Sequence, residues 1–325
     1  MMKKIVVTGA AGFLGSQMAR DLIKQGHCVI GIDNLSTGKK SNLDSIINHP
    51  LFALLELDVS NPTVVDRPEL EKVDEIYHLA SPASPKFYQA APLETIFVNT
   101  IGTQNMLELA RINDAKIVYA STSEAYGDPE VHPQAEDYRG NVNTWGPRAC
   151  YDEAKRLGEV FCYEYNRLYG VRAKVVRIFN TYAAGLRNDD GRVISNFVTQ
   201  VLSGQDITVY GDGSQTRSFC YVDDTLRALR LMMDSDLATG EIINVGNPNE
   251  YTVLEVAHMV KRLTGSSSPI TFHPLPQDDP KVRRPVIDKA KKLLGWEPEI
   301  QLEEGLLRTI EAYKQRLEPV EASTR

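Results

Sequence analysis

Along the first half of the chain, short blocks of consecutive apolar residues alternate with longer stretches whose apolar positions recur at helical spacing. "KKIVVTG" reads as an apolar strand ending in glycine, and "GSQMARDLIKQG" sets Met18, Leu22 and Ile23 at helical spacing before a glycine stop. "HCVIGID", "FALLELDV" and "VDEIYHLAS" read as the second to fourth strands, "TIFVNTIGTQNMLELARIND" as one long helix and "AKIVYAST" as a fifth strand. "YDEAKRLGEVFCYEYNRLYG" is another long helix and "VRAKVVRIFN" a sixth strand. Strands that are apolar throughout, alternating with helices, predict a parallel sheet covered on both faces, a doubly wound α/β fold.

After Asn180 the rhythm changes. "TYAAGLRNDDGR" is loop-like, followed by a helix ("VISNFVTQVLSG") and a short strand ("DITVYGDG"). "SFCYVDDTLRALRLMM" and "GEIINVGN" return to the sheet, and "LEEGLLRTIEAYKQRL" is the last helical stretch, with proline-rich sequence before it. The expected organisation is a nucleotide-binding domain of residues 1–178 plus about 219–246, and a smaller α/β domain of 179–218 plus about 247–318. The tail "EPVEASTR" reads as a frayed end.

Composition narrows the function class. A net charge of −7 and a pI near 5.5 give no basic face, so a nucleic-acid partner is not expected. Cys28, Cys150, Cys162 and Cys220 are scattered with no Cys-x-x-Cys pair, which suggests neither a metal site nor a disulfide framework and fits a reducing compartment. The amino-terminal apolar run is too short and glycine-rich for a signal segment, and no stretch of about 18 apolar residues suggests a membrane span. The expectation is a cytoplasmic protein.

Gly9, Gly12 and Gly15 form G-x-x-G-x-x-G between the first strand and the first helix. That context makes a Rossmann-type phosphate cradle: the glycines permit a tight turn and let a pyrophosphate approach backbone amides at the positive end of a helix. Asp33 closes the second strand, where a carboxylate accepts both ribose hydroxyls and repels the extra phosphate of NADP; NAD is the expected cofactor. Asp58 closes the third strand and either meets the adenine amino group or caps the following turn. Tyr151 and Lys155, four residues apart, share one helical face. A phenol is a poor base, with a reference pKa of about 10, but a nearby lysine cation favours the phenolate.

With Thr122, these residues make the chain resemble the extended short-chain dehydrogenase/reductase family that acts on nucleotide sugars, from Lys3 to about Leu317. Within it the nearest match is the UDP-glucuronate decarboxylase (UDP-xylose synthase) group, through "HLASPASP", "STSEAYGDPEVHPQ", "YDEAKR", "RIFNTY", "DDGRVISNF", "VYGDGSQTRSFCYVDD" and "LGWEP". The resemblance implies that Thr122, Tyr151 and Lys155 remove a hydride and proton from carbon four of the sugar, leaving a ketone beta to the carboxylate on carbon five. Carbon dioxide is then lost, and the hydride returns. It implies that Glu124 holds the sugar ring and manages the proton at carbon five; otherwise Glu124 caps the turn. Ser123 stands where 4,6-dehydratases carry an acid, so elimination of water is disfavoured. Arg217 matches an arginine that reaches the pyrophosphate and sugar and assists protonation at carbon five.

The resemblance further implies substrate contacts from Tyr88, Ser123, Asn180, Arg192, Val193, Tyr210 and Arg283, although the neighbouring Arg284 competes for the last assignment. The expected cofactor lining is Gly9, Gly12, Phe13, Leu14, Gly15, Asp33, Asn34, Ser36, Thr37, Gly38, Asp58, Val59, Leu79, Ala80, Ser81, Tyr151 and Lys155, with no metal. His78 reads as a satisfied strand-end residue rather than a catalyst.

Three departures from the group stand out: Phe97 stands in place of a lysine that contacts the sugar nucleotide, Ala183–Ala184–Gly185 replaces Gly-Pro-Arg, and Val286 replaces a helix-capping carboxylate. The alternatives are therefore a decarboxylase-like enzyme for another nucleotide sugar, a nucleotide-sugar 4-epimerase, and an NAD-binding sensor without turnover. Apolar residues in "TIFVNTIGTQNMLELA" and "GEVFCYEYNRLYG" exceed what one sheet face needs, and the family pairs these helices into an intersubunit four-helix bundle, which implies a homodimer.

Overall fold

The structure, a computed structural model, describes residues 1–186, 191–275 and 282–317. Asp189 and Asp190 of the "DDGRV" motif, and the tail from Glu318, lie outside the described residues. The strands β1 (Lys4–Thr8), β2 (Cys28–Ile32), β3 (Phe52–Leu55), β4 (Glu75–His78), β5 (Lys116–Thr122) and β6 (Arg172–Ile178) fall within the apolar blocks. With β11 (Ile242–Val245) they form a seven-stranded sheet, order β11-β6-β5-β4-β1-β2-β3, in which every pairing is parallel.

Helices cover both faces. On one lie α1 (Phe13–Lys24) and α7 (Val222–Asp234); on the other lie α4 (Ile101–Asn113) and α5 (Ala149–Tyr169). Alternate strand residues divide between them. Ile5, Val7 and Val118 pack with Met18, Leu22 and Leu229, while Val6, Ile117 and Tyr119 pack with Met106, Leu107 and Cys162.

The expected single helix from Thr95 to Asp114 is in fact two: α3 (Pro92–Asn99), following the short α2 (Pro85–Ala90), and then α4. The break falls at Thr100, whose hydroxyl donates to Ile96 O at 2.7 Å while Thr103 donates to Asn99 O at 2.8 Å. Side chains that bond back to the preceding turn bend helices in this way.

The remaining elements are small and long-range. β7 (Thr181–Tyr182) pairs with β10 (Cys220–Tyr221), β8 (Ile207–Tyr210) with β13 (Ile270–His273), and β9 (Thr216–Ser218) with β12 (Glu250–Thr252). Around them pack α6 (Val193–Leu202), α8 (Val253–Thr264), α9 (Asp288–Leu294) and α10 (Leu302–Leu317). α9 has no side-chain cap; its N-cap position is Ile287, one residue after Val286. Phe197, Val209, Ala257, Trp296 and Leu306 of this layer share one continuous apolar cluster with the α1/α7 face of the sheet.

Candidate active site

The order of strands reverses between β1 and β4, and the carboxyl ends on either side open into a cavity of about 1120 Å³. A crevice outside such a switch point is where open parallel sheets bind ligands, and single-ligand pockets usually measure about 300–1,000 Å³. This one has room for a cofactor and a substrate. Its wall contains every expected cofactor residue, from Gly9 to Ser81 together with Tyr151 and Lys155.

The cradle suits a dinucleotide pyrophosphate. α1 starts after Gly12 with no side-chain cap and no acidic residue in its first turn, leaving its positive end for an anion. A Cβ at Gly15 would lie 2.0 Å from Gly9 O, and Gly9 itself has φ +69°. Asp33 accepts the Ala11 amide on Oδ2 at 2.9 Å and the Leu35 amide on Oδ1 at 2.7 Å, and each oxygen keeps lone-pair capacity for a ribose hydroxyl. Asp58 does cap its turn, accepting the Ser60 amide at 2.8 Å, and it also lines the cavity beside Asn34. Burial opposes its charge, but hydrogen bonds from Ser60 and Asn34 overcome this and lower its pKa.

Thr122 ends β5 and caps a short 3-10 turn, Ser123–Tyr126, by accepting the Glu124 amide at 3.2 Å. This places Thr122, Ser123 and Glu124 on the cavity wall together with Tyr151. Burial pushes the Tyr151 phenol up to about 12, and its hydrogen bond with Thr122 works in the opposite direction. Lys155 Nζ donates to Ala120 O at 2.7 Å and lies 5.9 Å from the Tyr151 ring centre. Burial brings this ammonium down to about 7 against the pull of Glu159. Glu159 is itself fixed between Arg177, at 2.8 and 2.7 Å, and the Ser121 hydroxyl, at 2.6 Å, tying α5 to β6 and β5 beneath the lysine.

Tyr88 stacks on Tyr151, with ring centres 5.0 Å apart and planes 5° from parallel. Its hydroxyl is buried without a hydrogen-bond partner among the described residues, as expected of a group that awaits a ligand. Asn180, Arg192, Val193, Tyr210 and Arg217 line the same cavity, as does Phe97.

His78 is a strut. Its ring nitrogens meet Thr8 at 2.8 Å and Thr103 at 3.1 Å, and burial lowers its pKa to about 3.

One expected contact is corrected. Arg283 is not on the cavity wall: it is 1% exposed and donates to Ser123 O, to Gly127 O at 2.9 Å and to Glu124 Oε2 at 3.3 Å. Its guanidinium bonds the backbone carbonyls at both ends of the Glu124 turn and the Glu124 carboxylate. A cavity residue that the sequence reading missed is Arg148, one turn before Tyr151, which donates to Glu124 Oε2 at 2.6 Å. Its position one turn ahead of the tyrosine was the only available signal.

A doubly wound parallel sheet with a dinucleotide cradle at its switch point defines a Rossmann-type nicotinamide-dependent protein. More narrowly, the chain belongs to the NAD dependent epimerase/dehydratase family, whose pattern matches residues 5–246. It is 51% identical over 316 residues to UDP-glucuronic acid decarboxylase 1 of Danio rerio, covering 97% of this chain and 74% of the relative. It is 49% identical over 315 residues to UDP-glucuronic acid decarboxylase 6 of Arabidopsis thaliana, covering 97% and 90%.

Among solved structures, UDP-glucose 4-epimerase of Thermotoga maritima with UDP-glucose superposes with a TM-score of 0.90 at 31% identity, covering 97% of this chain and 100% of that one. UDP-glucuronic acid 4-epimerase of Bacillus cereus, in complex with UDP-glucuronic acid and NAD, superposes with a TM-score of 0.88 at 29% identity, covering 96% and 99%.

Proposed function

We propose that the protein is an NAD-dependent carboxy-lyase that converts UDP-glucuronate to UDP-xylose. The observation that carries this reading is identity of about one half, over 97% of the chain, to UDP-glucuronic acid decarboxylases. The cavity adds a proton-transfer set, Thr122, Tyr151 and Lys155, beside Glu124. NAD, held by the Gly9–Gly15 cradle and Asp33, would supply a reversible hydride acceptor for carbon four. Tyr151, beside Thr122, acts as the phenolate that a protonated Lys155 favours: it takes the proton of the hydroxyl at carbon four and becomes the neutral phenol. The bond from carbon five to its carboxylate then breaks, its electron pair moves into the enolate of the 4-ketone, and carbon dioxide leaves. Carbon five takes a solvent-derived proton, and Tyr151 returns its proton to the oxygen at carbon four. Net redox is zero.

Burial opposes the charge of Glu124, but Arg283 and Arg148 overcome it and hold the carboxyl down at about 2. At neutral pH it therefore accepts hydrogen bonds from the sugar and is not an acid for expelling a hydroxyl; the neutral hydroxyl of Ser123 is no acid either. Arg217 and Arg192 face the diphosphate, with Asn180, Val193, Tyr210, Ser123 and Tyr88 completing the sugar-nucleotide side.

The large folding layer supplies the cofactor half and residues 179–218 with 247–318 the sugar-nucleotide half. A homodimer is proposed through the exposed Leu93 and Ile101 of α3 and α4 and Leu157, Val160 and Tyr163 of α5, the broken α3–α4 helix and α5 of each copy forming the bundle. The four cysteines are free thiols, which supports a cytoplasmic setting. Among the described residues no helix is long and apolar enough to cross a membrane.

The second reading, a 4-epimerase, draws on the UDP-glucuronic acid 4-epimerase neighbour. Mass spectrometry of products from UDP-, TDP- and GDP-sugars, with and without a carboxylate, separates the two. Release of carbon dioxide with a UDP-pentose from UDP-glucuronate is expected. An isomer of unchanged mass would establish the epimerase instead, and no conversion across the panel despite bound NAD would leave a sensor.

A further inference from the structure

Two arginines far apart in sequence converge on one oxygen of Glu124. Arg148, just before α5, donates to Oε2 at 2.6 Å, and Arg283, from the segment ahead of α9, donates to the same oxygen at 3.3 Å. Arg283 is anchored independently by Ser123 O and Gly127 O, the two ends of the turn that carries Glu124. The second carboxylate oxygen, Oε1, accepts no hydrogen bond among the described residues, and Glu124 lies on the cavity wall.

Asp152 competes for the same cation and loses. Its Oδ2 is 4.0 Å from Arg148 Nε, and its Oδ1 is buried without a partner among the described residues. Burial and the Glu124 charge push Asp152 up to about 8, so it stays neutral where Glu124 is an anion.

We propose that Arg148 is a positioning residue for the reaction: with Arg283 behind it, it clamps Glu124 by Oε2 and thereby presents Oε1 to the sugar. This rests on the decarboxylase reading for its substrate, but the clamp itself is a property of the free protein. A carboxylate held by a single oxygen against two fixed guanidinium groups has its torsions set before substrate arrives, and pre-set geometry of this kind carries much of the rate in a site that must align a strained sugar ring. The charged and titratable groups facing Glu124 are Arg148 at the N-cap of α5, Tyr151 and Asp152 of α5, Arg283 behind the turn, Arg217 of β9 and Tyr88 of α2. Without Arg148, two cations remain, and burial works against the charge on Glu124.

The test is Arg148→Gln, with Arg148→Lys as the conservative variant. Carbon-13 NMR of glutamate-labelled protein, assigned with Glu124→Gln, reads the titration of Glu124 in each. Arg148→Gln should move Glu124 up into or above the ordinary carboxylate range near 4.3. It should also lower kcat by roughly a hundredfold with little change in KM, the scale of a misplacement of about 1 Å. An acid limb absent from the wild type should appear in the pH profile of kcat, and Arg148→Lys should largely restore both.

A Glu124 titration unmoved in Arg148→Gln, or a loss of thermal stability and NAD binding with an unchanged pH profile, would overturn the proposal. If Arg148→Gln does not fold, the wild-type titration decides alone, since a Glu124 that titrates near 4.3 contradicts the clamp. Absence of carbon dioxide release by the wild type would sink the functional reading and leave the titration result standing.

Discussion

Tyr151→Phe is expected to lower kcat by about a thousandfold while thermal stability and bound NAD stay close to wild type. The substitution removes one oxygen from a buried side chain on the cavity wall. The ring keeps its stacking partner, Tyr88, at 5.0 Å, and the backbone of α5 is untouched. What is lost is the group that shares a hydrogen bond with Thr122 and carries the proton of the reacting hydroxyl in both directions. Positioned acid–base groups contribute about 10²–10⁴-fold. Carbon dioxide release under saturating substrate checks the effect, and undiminished turnover by a folded, coenzyme-loaded variant would contradict it.

Gly15→Ala should cut NAD affinity about a hundredfold or more, with the sheet intact. An added Cβ would lie 2.0 Å from Gly9 O, 2.7 Å from Gly9 C and 2.9 Å from Ala10 Cα, all of them backbone atoms of the cradle. No side chain is available to swing aside, so the start of α1 must move away from β1 by about 1 Å. Shifts of that size cost about 10²-fold where geometry is preorganised. Titration calorimetry with NAD reads this directly. Wild-type affinity in Gly15→Ala would show that the turn does not hold the pyrophosphate.

The parts of the molecule that were legible in the sequence are those governed by local pattern. The apolar blocks became the parallel strands, and residues at their carboxyl ends (Asp33, Asp58, Ser81 and Thr122) came to one crevice because parallel strands all finish on the same side. The Tyr151–Lys155 pair was legible because four residues on a helix share a face. The split at Thr100 was not, since it depends on hydroxyls choosing carbonyls of the preceding turn over solvent.

Arg283 shows where local reading ends. It meets Ser123 from 160 positions away, and nothing in "VRRPV" distinguishes the arginine that turns inward from its neighbour. Arg148 was overlooked for the same reason, because its value lies in Glu124, a residue from a different strand end. The two-residue pair β7–β10 and the three-residue pair β9–β12 are likewise too short to carry a periodicity of their own.

The central claim is that a sugar is oxidised only in passing so that its carboxyl group can depart. Turnover of UDP-glucuronate in deuterated water, followed by NMR of the nucleotide product, tests it most directly. The account predicts one equivalent of carbon dioxide and a UDP-pentose bearing a single solvent deuterium at carbon five, with the original hydrogen still on carbon four. A product that keeps its carboxylate, or a pentose whose hydrogen on carbon four has exchanged with solvent, would contradict it.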